Sequence, residues 1–531
     1  MGITKRHVLG VVLIAALVVA ISLVMGLTQG KAGPKAAPIG QWAAGDHHNH
    51  TWLSDGEETM ADLAEHAFTQ YGLDWLGTSD HGAPSLFDPL GKRLRGINGD
   101  EDPAPASLDF WLGLRDLEWP VVQQVAADYP GKIMITGVEW GAPVAKNEGD
   151  AEAKTAILDD MPNALSDFVY KYDYQSLDKS RAVLGITKQN QGPSGYIDGA
   201  TDLSDNHADT AYSIISHPER DLRWPVKAIR SFNNAAPTVC FGMAGVPGSQ
   251  KEPFRGGYDA IFDSKGRELD EEVAADWKKV DWKITSPART YGGADSYTST
   301  LGGVWDALLG EGRHFWIFAD SDFHNTEEEF WPGEYNQDHT WVAELTREGV
   351  VDGLRSGNSF SAMGQLISEL DFRAAKGSAS ATMGGTLPAT AGDSVTVTIR
   401  FKSPAKNYND VTPVVDHVDL ITGDVTGMIA PSSPEFATNT TNPSTKVAKR
   451  FTSSDWTVDA QGFNVATFTI SGIDGDMYLR LRGTNMGLGV KGQTDAAGNP
   501  LMDTKSKGTN TPAKAWADIW FYSNPIFIDV N

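Results

Sequence analysis

Gly45 to Gly56, GDHHNHTWLSDG, packs three histidines and two aspartates into twelve residues, and no other stretch limits the fold of this chain as tightly. Side chains alternate along an extended strand, so His48 and His50 fall on one face and can grip one cation. His47 points the other way, toward packing. Ser54-Asp55-Gly56 reads as a turn that sets a carboxylate at the strand's exit. The stretch looks like the first half of a metal site, and the later chain must supply the rest.

Composition narrows what that site can be. Cys240 is the single cysteine. It rules out an intramolecular disulfide and a zinc site built on paired thiolates, leaving histidine and carboxylate as ligands. Lysine and arginine number 44 against 69 aspartate and glutamate, a formal charge of -25 with no compensating basic run, which argues against a nucleic-acid partner. At 531 residues and 40% apolar content, two folded domains are expected.

Along the chain, apolar runs alternate with helical periodicity, and the runs end in candidate ligands. A helix carrying Met60, Leu63, Ala67 and Phe68 leads to a strand from Leu73 to Thr78, followed by Ser79-Asp80-His81. Ile133 to Val138 delivers Glu139. Ala211 to Ser216 delivers His217, and Pro218 forces the chain out of the sheet. A helix from Val304 to Leu309 and a strand from His314 to Phe318 precede Asp322 and His324. A lone buried histidine more often satisfies a hydrogen bond than binds a metal. Five strand ends in phase instead point to one site on the carboxyl face of a parallel βα sheet or barrel. Residues 147–209 are polar and turn-rich and receive no firm assignment.

His48-Asn49-His50 with Ser54-Asp55-Gly56, Thr78-Ser79-Asp80-His81, Glu139, Ser216-His217-Pro218 and Ser321-Asp322-Phe323-His324 together resemble the PHP superfamily, the polymerase and histidinol phosphatase metallohydrolases, in its exported, carbaryl-hydrolase-like branch. The resemblance covers about Gly40 to Phe372. It implies an α/β fold, a distorted (β/α)7 barrel, with two or three divalent ions. Carried over, His48, His50, Glu139 and Asp322 hold one metal. Glu139 bridges to a second bound by His217, and Asp55, His81 and His324 hold a third. The family places another histidine between the glutamate and the His-Pro pair, and here only His207 lies there; it is a ligand or an exposed loop histidine. Asp46 and Asp80 are expected to orient imidazoles from behind the ligands. Asp320 is passed over as a ligand in favour of Asp322, and His66, His314, His339 and His417 are left as structural or surface residues.

Imidazole and carboxylate suit zinc, manganese or iron. Two cations sharing Glu139 would make hydroxide available near neutral pH to attack an ester. A phosphate ester is the natural small-molecule substrate, with Glu139 and Asp322 at the reacting centre and Arg220 as a clamp on the phosphate; pairing of Arg220 with Glu219 or another carboxylate is the bland alternative. A carbamate or amide hydrolase using the same metals, or a non-catalytic metal-containing surface protein, are the competing functions. Trp52 and Trp140 read as wall packing rather than a stacking platform for a leaving group. Gly242 to Gly248 and Gly256-Gly257 lack the lysine of a phosphate-binding loop and read as irregular loops.

The two ends differ in character. Residues 1–7 form a basic cytoplasmic tip and Val8 to Leu27 an uncharged run long enough to be an anchor, or a signal segment, followed by a linker at 28–40. This places the remainder in the cell envelope facing away from the cytoplasm, or secreted or periplasmic if the segment is cleaved. The metallohydrolase domain is expected over 41–373. From 374 to 531, period-two alternation such as Val395, Val397, Ile399 and Phe401 indicates an antiparallel β-sandwich.

Overall fold

The computed structural model describes residues 40–530 apart from 83–108, 145–150, 175, 177–185, 191, 219–223, 253–254, 258–260, 263–267, 270–288 and 505–510. The expected tip, anchor and nearly all of the linker therefore lie outside the described residues. Among those described, no helix is long and apolar enough to cross a membrane.

Residues Gln41–Asn531 form one compact mixed α/β unit. The strands that carry the site are β1 (Gln41–Asp46), β2 (Trp75–Gly77), β3 (Ile133–Ile135), β4 (Gly137–Gly141), β5 (Glu152–Ile157), β6 (Ala211–Ile215), β7 (Gly242–Val246) and β8 (Trp316–Ala319). Strands β1, β2 and β3 are parallel neighbours, as are β6, β7 and β8. Strand β5 runs antiparallel to both β4 and β6. Among the described residues these strands pair in two mixed sheets. Two of the joins between these sheets are close to the site. Strand β3 passes into β4 through Thr136 alone, and beyond β1 and β8 a single parallel bridge joins Asn49 to Phe323.

Local chemistry accounts for the helices between strands. Thr59 caps Met60–Ala64 by accepting the Asp62 N–H at 3.1 Å, and Met60, Leu63 and Ala64 turn inward. Arg347–Ser356 starts on Thr346, which accepts the Gly349 N–H at 3.0 Å, and stops at Gly357 in the left-handed conformation.

Two sequence expectations need correction here. Gly242 to Val246 is not loop but strand β7, buried throughout; its Gly242 must be small because a Cβ would meet the Phe318 ring at 2.6 Å. Residues 147–209, left unassigned, contain β5 and the helices Asn163–Tyr172 and Gly195–His207.

Most pairings among the carboxyl-terminal strands are antiparallel as expected, but Thr386–Ala389 runs parallel to Ile526–Val530, and several late strands join the β1 sheet. The expected boundary between 373 and 374 falls inside the strand Glu369–Lys376. Strands β9 (Asn336–Val342) and β10 (Ser359–Met363) extend the β1 sheet, and β10 then pairs with Trp520–Ser523, so late strands continue the sheet that bears the site. Trp520–Ser523 and Ile526–Val530 are separated around Pro525, which has no N–H to give a ladder. Asp393–Lys402 buries Val395, Val397, Ile399 and Phe401 as the alternation implies. Met477–Thr484 alternates too, but Arg480 and Arg482 on its second face are buried as well, paired with Asp306 and Asp419. One apolar core runs from Trp75 and Val138 to Val397 and Leu481.

Candidate metal centre

The site assembles where the carboxyl ends of β1, β2, β6 and β8 converge. Beyond β1 the chain stays extended, with the His50 N–H donating to the Phe323 carbonyl at 2.9 Å. His48 and His50 thus face one side, as strand geometry requires. His47 faces the other, packed against Trp75 and Phe318 with Nδ1 3.6 Å from Asp338. Glu139 enters from within β4 rather than from its end. Asp322 adopts a left-handed backbone with φ 48°, a conformation that costs a non-glycine residue about 1–3 kcal/mol and clusters at functional sites.

Two groups of side chains converge, each with potential ligand atoms within 4.8 Å of one another: His48, Glu139, His217 and Asp322, and His50, Asp55, His81 and His324. In the first group, His48 Nε2 lies 3.1 Å from Glu139 Oε1 and 2.9 Å from Asp322 Oδ1, and His217 Nε2 lies 3.4 Å from the same Glu139 oxygen. In the second, Asp55 Oδ1 is 3.4 Å from His81 Nε2, 3.5 Å from His324 Nε2 and 3.8 Å from His50 Nδ1. His50 straddles the two groups. Its Nε2 reaches Asp322 at 3.3 Å and the second oxygen of Glu139 at 3.6 Å. Among the described residues the candidate ligands therefore fall into two groups.

The groups differ in exposure. All four members of the first are buried, whereas the Asp55 side chain is 54% exposed and His81 and His324 are partly open, so solvent enters from that side. Burial opposes protonation of His48, yet the carboxylates of Asp322, Glu139 and Asp320 outweigh it and raise its pKa well above the usual histidine range. Burial likewise opposes protonation of His81, but the hydrogen bond and charge of Asp55 push it up to about 10. His50 falls to about 3, first because it is buried and then because of His324. Burial would raise Glu139; His48 and His217 instead hold it well below the usual range.

These residues fit a divalent cation. His48 Nε2, His50 Nδ1 and Glu139 Oε1 are buried without a hydrogen-bond partner, although each sits within 4 Å of other ligand-type atoms. Buried polar atoms are ordinarily satisfied, and a cation would satisfy these three.

Other sequence expectations fare differently. His207 ends its helix with Nδ1 2.9 Å from Asp159 Oδ2 and is not brought to either group. Arg220 lies outside the described residues. Asp46 and Asp80 do not orient imidazoles; they fasten the loops instead. Asp46 accepts the N–H groups of His48 and Ser321, at 2.9 and 3.0 Å, and Asp80 accepts from Thr51 and Ser54. The carboxylate against an imidazole is Asp320, 3.3 Å from His48 Nδ1. Trp140 is fully buried against Phe168, a wall residue as expected. Sequence reasoning missed Glu152, whose Oε2 lies 3.7 Å from His217 Nε2, and Lys154, 2.5 Å from Asp320. Their period-two spacing in EAKTAI was the available signal.

No protein-family model matches the chain, and no curated protein matches it. Among solved structures it is similar to a two-domain protein from Bacteroides vulgatus containing a predicted PHP-like metal-dependent phosphoesterase, with 11% identity, 88% of this chain and 95% of that one covered, and a TM-score of 0.34. It is also similar to a Bifidobacterium adolescentis protein put forward as a metal-dependent phosphoesterase, with 14% identity, 53% and 87% covered, and a TM-score of 0.24. At these scores the likenesses decide nothing about chemistry, which rests on this chain's own residues.

Proposed function

We propose that this chain is a metal-dependent hydrolase of the PHP type, acting on phosphate esters outside the cytoplasm and holding two or three divalent cations, manganese, zinc or iron. One observation carries the proposal: Glu139 presents one oxygen to His48 and His217 and the other to His50, so a single carboxylate touches both convergent groups. A purely structural metal site needs no such bridge and no solvent-facing side.

The cations would act as Lewis acids and supply hydroxide near neutral pH. The chain's residues set the geometry. Asp322, in its left-handed conformation, lies against His48 and His50, and His48, Glu139, His217 and Asp322 are all buried. Asp55, His81 and His324 form the open side by which an ester would approach. Glu152, beside His217, is our candidate for the ligand position at which the family would have a histidine. Arg220 is kept as the phosphate clamp, and Val8 to Leu27 supports placement in the cell envelope.

The test is hydrolysis by the purified full-length chain, stripped and then reloaded with manganese or zinc, of a chromogenic phosphate ester and a chromogenic carbamate. Metal-dependent turnover of the phosphate ester supports the proposal. Turnover of the carbamate alone moves the substrate class, and stoichiometric metal without turnover of either defeats the catalytic reading.

A further inference from the structure

We infer that Lys154 and Asp320 form a buried positioning pair that fixes the ring of His48 for cation binding; this deepens the metal-centre reading above and rests on it. Lys154 stands on β5, directly across from Glu139 in the antiparallel pairing of β4 and β5. Its Nζ lies 2.5 Å from Asp320 Oδ2, and both side chains are 1% exposed. The same oxygen is 3.3 Å from His48 Nδ1, while Oδ1 of Asp320 accepts the Gly248 N–H at 3.2 Å. The carboxylate is thus held at three points: an ammonium, a backbone N–H and an imidazole.

Stability alone does not explain the pair. Desolvating an ammonium and a carboxylate together costs more than packing apolar side chains of the same size, so a buried ion pair is weak evidence for a stabilising role. Position does explain it. A neutral imidazole that donates from Nδ1 to Asp320 carries its lone pair on Nε2, and Nε2 is the atom that faces Glu139 Oε1 at 3.1 Å and Asp322 Oδ1 at 2.9 Å. Carboxylates placed behind a ligating histidine fix its tautomer and ring angle, and losing one typically weakens metal binding about 10–100-fold. Lys154 extends that hold by one residue, since nothing in β8 itself fastens Oδ2 of Asp320.

The experiment uses the purified full-length chain with Lys154→Met, Lys154→Arg and the doubly neutral Lys154→Met/Asp320→Asn. Zinc affinity is measured by competition with a chelating dye. The tautomer of His48 is read by nitrogen NMR in metal-free protein held at a pH where the His48 ring is neutral, after selective histidine labelling, with His48→Gln identifying its signal. Lys154→Met should weaken one class of zinc site by about 10–100-fold, leave the other unchanged, and shift His48 from the Nδ1–H form to a mixture. Lys154→Arg should restore most of both. If Lys154→Met does not fold, the doubly neutral variant should fold and show the same zinc loss and tautomer mixture. Wild-type zinc affinity with an unchanged His48 signal, in whichever of the two variants folds, overturns the inference. Failure of the hydrolase reading would look different: zinc and NMR behave as stated, but the zinc-loaded wild-type chain turns over no ester.

Discussion

Gly248 lies directly against Asp322: a Cβ on the glycine would stand 2.4 Å from the Asp322 Cβ and 2.0 Å from the Ser321 carbonyl oxygen. Those distances are far inside van der Waals contact, so the turn that carries Asp322 in its left-handed conformation exists only because residue 248 has no side chain. Gly248→Ala should therefore displace Asp322 from His48 and His50. We expect a stability loss of about 1–3 kcal/mol from overpacking, with metal content and activity falling more steeply than the melting temperature suggests. An alanine variant with full metal content would show that the turn can relax without moving the carboxylate.

Removing the carboxylate that touches both groups should lower metal content more than removing any one imidazole. Glu139→Ala and His50→Ala are each expected to abolish turnover and lower metal content, and Glu152→Ala to weaken one site while leaving the other loaded. Metal analysis of the purified variants checks this; normal turnover in the Glu139 or His50 variant contradicts the ligand assignment.

The metal-free protein should lose stability as pH rises. His81 ordinarily titrates near 6.5 but is raised to about 10 in the fold, where burial is outweighed by Asp55; His48 is raised as well, its carboxylate neighbours outweighing burial. A raised folded-state pKa means that the protonated histidine stabilises the fold fully below about pH 6.5, and that this contribution fades as pH climbs through the folded-state value. Melting temperatures of the stripped protein should fall between pH 6.5 and about 10. Because a cation replaces those protons, the loaded protein should not follow, and its metal affinity should increase over the same range. Parallel pH profiles for the two forms would contradict this account.

The late strands should be required for the site to form at all. Asn524 receives the Ile317 N–H at 2.9 Å and returns a bond to the Ile317 carbonyl, so residues near the carboxyl terminus hold β8, which carries Asp322. Arg480 grips Asp306 through two bonds of 2.7 and 2.8 Å, both residues buried. Truncation after 373 should give insoluble protein. Arg480→Met, which strands Asp306 in the interior, should cost about 3–5 kcal/mol in chemical denaturation. A soluble, metal-binding fragment of 41–373 would refute the dependence.

Much of the centre was legible because its ligands obey simple rules. His48 and His50 share a face by strand geometry, and His81, His217 and Asp322 follow apolar runs that could only be buried strands. What escaped notice did so for physical reasons. EAKTAI lies in the polar 147–209 stretch that received no assignment, and in the fold its alternate residues Glu152 and Lys154 both point inward, toward His217 and Asp320. The roles of Asp46 and Asp320 were exchanged because the backbone turns that bring Asp320 behind His48, and Asp46 onto the N–H of Ser321, are contacts between segments far apart in the chain. Arg480 and Arg482 are likewise buried against acceptors, Asp306 and Asp419, that lie elsewhere in the sequence.

The central claim is that Glu139 joins two cation positions. Anomalous diffraction from crystals of the full-length chain grown with manganese tests it most directly. The account predicts at least two peaks, one near His48, Glu139, His217 and Asp322 and one near His50, Asp55, His81 and His324, each about 2.0–2.3 Å from its ligand atoms. Crystals containing manganese with no peak beside Glu139 would contradict it.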